Sequence, residues 1–115
     1  MEDYIMLKKD RLERTIAKMK EKDIPQMLVS DQYALYYLLD KTFVFGERMG
    51  ALYINVDGTV HFVLNKLFPQ VEDLGVEITY YDDVEDGVEI LSRFVDKEKT
   101  MGIDKTWPAR FVLRL

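Results

Sequence analysis

The Asp57-Gly58 pair, set between two runs of strand-forming residues, narrows the possible folds of this chain more than any other feature. Asp-Gly accepts the positive backbone angles of a tight turn, so Met49 to Leu64 is predicted to be an antiparallel hairpin closed by a two-residue loop. Val60, Phe62 and Leu64 alternate with Thr59, His61 and Val63, which puts a strongly apolar set on one face and a mixed set on the other. A hairpin with such faces needs further layers to cover it.

Those layers are legible on both sides. From Asp3 to Lys22, Ile5, Leu12, Ile16 and Met19 recur at helical spacing, with Lys18, Lys20 and Lys22 crowding the carboxyl end, where positive charge suits the helix dipole. Ile24-Pro25 blocks continuation. Met27-Leu28-Val29 is an unbroken apolar run, the pattern of a central strand covered on both faces. Ser30 or Asp31 caps a second predicted helix, Gln32 to Leu39, with Leu35, Leu38 and Leu39 inward.

Past the hairpin, Leu67 to Leu74 reads as a short helix from Pro69, ended by Gly75, and Val76 to Tyr81 as a strand. Asp82 or Asp83 then caps a helix from Val84 to about Asp96 bearing Val88, Leu91 and Val95 on one side. Thr100 to Ile103 reads as a last strand. Thr106-Trp107-Pro108 opens a helix from Ala109 to Leu115 without a stop signal, so Leu115 is expected to be the edge of a larger protein. Helices alternating with strands around one hairpin predict an α/β fold, a mixed β-sheet flanked by helices, with residues 1–115 forming a single domain.

Charge and composition exclude several functions. The formal charge of -5, with lysines interleaved among acids, repels a phosphate backbone, so no nucleic acid is expected as partner. Cysteine is absent, which removes disulfides, thiolate metal sites and a cysteine nucleophile. No apolar run approaches the roughly 18 residues that a membrane span needs, and Met1-Glu2-Asp3-Tyr4 is no signal-peptide start. A soluble cytoplasmic protein is expected.

Candidate chemistry is sparse. His61 is the only histidine and sits in a predicted strand, so it reads as a half-buried structural residue and not a catalytic one. Asp82, Asp83, Glu85 and Asp86 read as helix-capping acids, since they lack calcium-loop spacing. Gly46-Glu47-Arg48-Met49-Gly50 lacks the lysine and hydroxyl of a phosphate loop. Trp107, Tyr33, Tyr36 and Tyr37 are expected in the core, with a homodimer contact as their alternative use. The loop Lys41 to Arg48 has too little pattern for core and is the better functional candidate.

Taken in order, Arg11-Leu12-Glu13 through Ile24, Met27-Leu28-Val29-Ser30-Asp31, Tyr36-Tyr37-Leu38 and Gly46-Glu47-Arg48 through Asn55 resemble the amino-terminal domain of the creatinase/prolidase family, which includes the aminopeptidases P. Gly75-Val76-Glu77-Ile78, Met101-Gly102-Ile103-Asp104 and Pro108-Ala109-Arg110-Phe111 continue the pattern. Two positions depart from it: Asp23 stands where a glycine usually closes the first helix, and Leu39-Asp40 replaces a Thr-Gly. Aspartate tolerates the left-handed geometry needed there better than most residues.

The resemblance implies a two-domain metal-dependent proline peptidase, an Xaa-Pro dipeptidase or aminopeptidase, in which this fragment is the non-catalytic part. Two divalent metal ions, held by two aspartates, a histidine and two glutamates, belong to a carboxyl-terminal catalytic domain absent here. The resemblance further implies that the present domain makes homodimer contacts and restricts access to the dinuclear site for short proline-containing peptides. No catalytic residue and no metal ligand is expected within the fragment. Phe45 and Arg48 are its substrate-channel candidates, the ring packing on a peptide and the guanidinium attracting a carboxylate. The alternatives are a stand-alone peptide- or protein-interaction module with this fold, or the amino-terminal domain of a creatinase-like small-molecule hydrolase.

Overall fold

A computed structural model describes residues 7–70, 73–104, 107 and 109–115. The chain runs α1 (Lys9–Glu21), β1 (Gln26–Val29), α2 (Gln32–Leu39), β2 (Ala51–Asn55), β3 (Val60–Asn65), β4 (Glu77–Tyr81), α3 (Gly87–Ser92), β5 (Met101–Ile103) and α4 (Ala109–Val112). The strands form one sheet in the order β4-β3-β2-β1-β5. Its centre is antiparallel, β1 with β2 and β2 with β3, while β4 and β5 add parallel to β3 and β1. The predicted mixed sheet with a hairpin and flanking helices is therefore the observed architecture.

Alternation along the strands divides the core between two faces. Val29, Leu52, Ile54, Phe62 and Leu64 pack under α1 and α2 with Leu12, Met19, Leu35, Leu38 and Leu39. Leu28, Ala51, Tyr53 and Val63 point the other way and meet Val88 and Leu91 of α3. Consecutive Leu28 and Val29 are both buried, on opposite faces, which is why β1 reads as an unbroken apolar run.

The helix ends follow from local chemistry. Asp23 takes φ 58° after α1, with the Ile24 N–H donating to the Met19 carbonyl and the Asp23 N–H to Lys20. This is the left-handed closure that glycine usually supplies. Asp40 ends α2 in the same way at φ 56° and pairs with Lys8 at 3.6 Å. Asp31 caps α2, its Oδ2 accepting from the Tyr33 and Ala34 N–H groups at 3.1 Å.

Several boundaries differ from the sequence reading. The hairpin loop is Val56-Asp57-Gly58: the Asn55 N–H donates to the Thr59 carbonyl, the Gly58 N–H to Asn55, and Gly58 takes φ 98°. Asp57 stays out of the positive region because Asn55 Oδ1 holds its N–H at 3.0 Å, giving a turn plus a glycine bulge instead of a two-residue loop. The described part of 67–74 is not helical. There Asn65 Oδ1 takes the Leu67 N–H and the Tyr80 hydroxyl takes the Gln70 N–H, which draws the segment across the sheet edge.

The third helix starts at Gly87, not Val84, because Asp82 and Glu85 spend their side chains on a turn of their own. Asp82 Oδ1 accepts from the Val84 N–H, and Glu85 Oε1 from the Asp82 N–H. Asp86 is the cap, accepting from the Glu89 N–H at 3.2 Å. Beyond Ser92 the bonds tighten to Phe94→Leu91 and Val95→Ser92, so the helix does not reach Asp96. Asp3 and Ile5 of the first predicted helix, positions 71 and 72 within the 67–74 segment, and Thr106 and Pro108 lie outside the described residues.

Candidate functional site

The loop between α2 and β2 is half core and half rim. Phe43 is only 4% exposed and meets Phe62 edge-on at 5.2 Å, contrary to the expectation that this loop has too little pattern for core. Phe45 stacks on Phe43 at 5.8 Å and meets Phe68 at 90°. A Cβ at position 50 would collide with the Phe45 ring, so Gly50 is what lets that ring lie against the strand entrance. Gly46 takes φ 62°, and the Arg48 N–H closes the turn on the Phe45 carbonyl at 3.1 Å.

This turn delivers Arg48 to the carboxyl ends of β3 and β4. Its Nε donates to Asp83 Oδ1 at 3.1 Å and its Nη2 to Asp83 Oδ2 at 2.9 Å, a two-pronged pair. Asn65, 2% exposed, donates from Nδ2 to the same Asp83 Oδ1 at 2.8 Å. Arg48, then Asn65, hold the Asp83 carboxyl below the usual carboxylate range. Tyr81 donates its hydroxyl to the Met49 carbonyl, and its ring packs where a Cβ on Gly87 would sit; burial pushes the phenol up.

Two cavities flank Arg48. One, of about 260 Å³, is walled by Ser30, Asp31, Phe43, Phe45 and Arg48 among others; the second, of about 220 Å³, has Glu47, Asp83, Glu85, Asp86 and Arg114 on its rim. Phe111 borders both, and the final segment is tied down by Arg110 to the Glu47 carbonyl and by an Arg114–Asp86 ion pair. Phe45 and Arg48, chosen from the sequence, thus line one cavity. Asn65, Asp83 and Tyr81 complete the cluster. Of these, Asp83 had been read only as a helix cap, and a polar Asn ending an apolar strand was the one signal for Asn65.

The remaining candidates are elsewhere. His61 is 14% exposed, stacks on Phe94 at 4.1 Å and shares a 2.7 Å hydrogen bond between Nε2 and Thr79 Oγ1. Burial lowers its pKa, partly opposed by Glu77. Tyr33, Tyr36 and Tyr37 are exposed, not core, because they occupy the face of α2 opposite Leu35, Leu38 and Leu39. Trp107 does pack against the α3 side of the sheet.

Among the described residues, no three of His, Asp and Glu come together in a way that could hold a metal ion, so they offer no ligand set for the divalent ions that the resemblance implies. No described helix is long and apolar enough to cross a membrane.

Comparison with known proteins fits this architecture. Residues 11–115 match the Creatinase/Prolidase N-terminal domain family. The chain is similar in structure to a dipeptidase from Pyrococcus horikoshii OT3, with 24% identity, a TM-score of 0.79 and coverage of 90% of this chain but 30% of that one. It is similar to a prolidase from Thermococcus sibiricus with 22% identity and a TM-score of 0.76, covering 99% of this chain and 32% of that one. With the N-terminal domain of an X-Pro dipeptidase from Streptococcus pyogenes it shares 14% identity and a TM-score of 0.76, covering 93% and 86% of the two chains. No curated protein matches it in sequence. At these identities the structural likeness is one of fold, and the chain spans about a third of the length of the first two structures. With the family match running from the first helix to the last residue, the chain belongs to the creatinase/prolidase N-terminal domain family.

Proposed function

We propose that this domain is the non-catalytic amino-terminal part of a cytoplasmic, metal-dependent Xaa-Pro dipeptidase or aminopeptidase, restricting access to a dinuclear centre in a carboxyl-terminal domain. The supporting observation is one of extent: the chain matches 86% of an isolated N-terminal domain of an X-Pro dipeptidase but only 30% of a whole dipeptidase. In this reading the rim formed by Phe45 and Arg48 borders the channel by which short proline-containing peptides approach. The rings of Phe43, Phe45 and Phe68 give that rim a fixed shape.

Homodimer contact is proposed for the exposed tyrosine face of α2, where Tyr33 is 75% exposed and Arg11 lies over the Tyr37 ring at 4.9 Å. Aromatic side chains of this kind bury much area at low entropic cost when an interface closes.

The test is an assay of proline release from an Xaa-Pro dipeptide with Mn²⁺ present. The 115-residue chain is expected to release none, and the same chain joined to the metal-binding domain encoded after it is expected to be active. Release by the chain alone, or a continuing reading frame without metal ligands, overturns the proposal. Sedimentation of the joined protein with Tyr33→Ser is expected to shift toward monomer; an unchanged profile removes the α2 face from the dimer.

A further inference from the structure

Resting on the channel reading above, the Arg48 cluster carries a more specific assignment. A guanidinium has five N–H donors in a fixed plane. Two of those on Arg48 are committed to the Asp83 oxygens, at 3.1 and 2.9 Å. Asp83 is itself held by Asn65 at 2.8 Å, and Asn65 is locked because it is buried and its Oδ1 accepts from the Leu67 N–H. The backbone carrying Arg48 is pinned on either side, by the turn on Phe45 and by the Tyr81 hydroxyl on Met49. A long side chain that would otherwise sample many rotamers is therefore presented in one orientation at the wall of the 260 Å³ cavity.

The sign of the surrounding charge decides what such a donor accepts. Asp83 neutralises Arg48 as a point charge at any distance beyond direct contact. Among the described residues, the second cavity adds Glu47, Glu85 and Asp86 against Arg114, with Arg110 held at the Glu47 carbonyl, and the first adds Asp31, so acids still outnumber bases. The summed field around the guanidinium is negative or near zero, which opposes a free carboxylate. The uncommitted N–H groups keep their direction and suit a neutral acceptor.

We propose that Asp83, seated by Asn65, is the positioning residue that holds Arg48 as an oriented donor for a peptide carbonyl oxygen, in place of a receptor for the peptide's carboxylate. Phe45, on the same wall, supplies the apolar contact for the side chain or ring next to that carbonyl.

The test is steady-state kinetics on the protein joining this domain to its catalytic domain, with an Xaa-Pro dipeptide as substrate and the matching Xaa-prolinamide as competing ligand. Arg48→Ala is expected to weaken both by the same factor, about tenfold, with kcat within about twofold. Asp83→Ala is expected to raise KM by about threefold to tenfold in the same pattern. Asp83→Asn keeps the shape but frees the Arg48 charge, so it is expected to shift preference toward the acid over the amide.

The failures are distinct. Unchanged kinetics in Arg48→Ala would remove Arg48 from the channel and with it this inference. An Arg48→Ala effect beside wild-type behaviour in both Asp83 variants overturns the positioning role alone. A loss confined to the acid makes Arg48 a carboxylate receptor. In the 115-residue chain, the Arg48 Nε–H resonance in ¹⁵N spectra is expected to exchange slowly and to collapse in Asp83→Asn; a signal already averaged in the wild type also overturns the positioning role.

Discussion

The two faces of the sheet are closed by different means. Among the described residues, the buried side chains under α1 and α2 are those of Leu, Val, Ile, Met and Phe, with Ala34 and Tyr80 packing at the margin. Under α3, the buried surface includes Tyr53, Tyr81 and Gln26, each with named partners. Gln26 is 1% exposed, yet its Nε2 donates to the carbonyls of Asp96 and Lys99 while its Oε1 accepts from the Asp96 N–H and the Tyr53 hydroxyl. Apolar contact stabilises without direction, whereas a satisfied buried amide admits one position of the 96–99 loop. The first face supplies stability and seats Phe43 and Phe45, whereas the second places the 96–99 loop and, through the Tyr81 hydroxyl on the Met49 carbonyl, the end of the loop that carries Arg48.

Four measurements put this contrast at risk. Phe62→Ala, in the centre of the apolar face and fully buried, is expected to cost about 3–5 kcal/mol in chemical denaturation, from lost burial plus a cavity. Gln26→Met keeps volume but takes away the partner of the Asp96 N–H and of the Lys99 carbonyl, while the Asp96 carbonyl keeps the Lys99 N–H, for an expected loss of about 1–3 kcal/mol. Amide exchange should then rise at 96–99 while β2 is unaffected. A neutral Gln26→Met would mean that the polar face places nothing.

The third measurement is pH. His61 has a folded pKa below its ordinary 6.5, through burial, so the unfolded chain binds the proton first. Its contribution is complete above 6.5 and declines as pH falls from there toward the folded value. His61→Phe is expected to remove that slope, leaving the later loss from Asp57, Asp83 and Asp86, whose carboxyls lie below their usual 3.8. A slope that persists in His61→Phe would refute the assignment. Last, Arg14→Ala breaks an exposed pair with Asp10 that belongs to neither face, and is expected to change stability by no more than about 0.5 kcal/mol.

Legibility from sequence followed the range of the forces involved. The β2–β3 hairpin, the doubly buried β1 and the aspartates that end α1 and α2 depend on near neighbours or on strict alternation, and these were readable. The start of α3 was not, because four acids in five residues offer several equivalent caps and only the turn made by Asp82 and Glu85 selects Asp86. Phe43, rightly read as loop, was wrongly placed outside the core because its partner, Phe62, comes from the far strand of the hairpin. Phe45 and Arg48 stood out as an aromatic and a cation in a patternless loop. Their link to Asn65 and Asp83 exists only once β3 and β4 lie side by side in parallel.

That parallel pairing on both flanks of an antiparallel centre also bears on how the chain folds. The hairpin closes a short loop, whereas β5 joins β1 only after the other four strands have been made, Gln26 finding Met101. Loop-closure entropy and the slow formation of non-local contacts place β5 last in the order of assembly. With only Met101–Ile103 to pair, that edge is also expected to be the first part of the sheet to open.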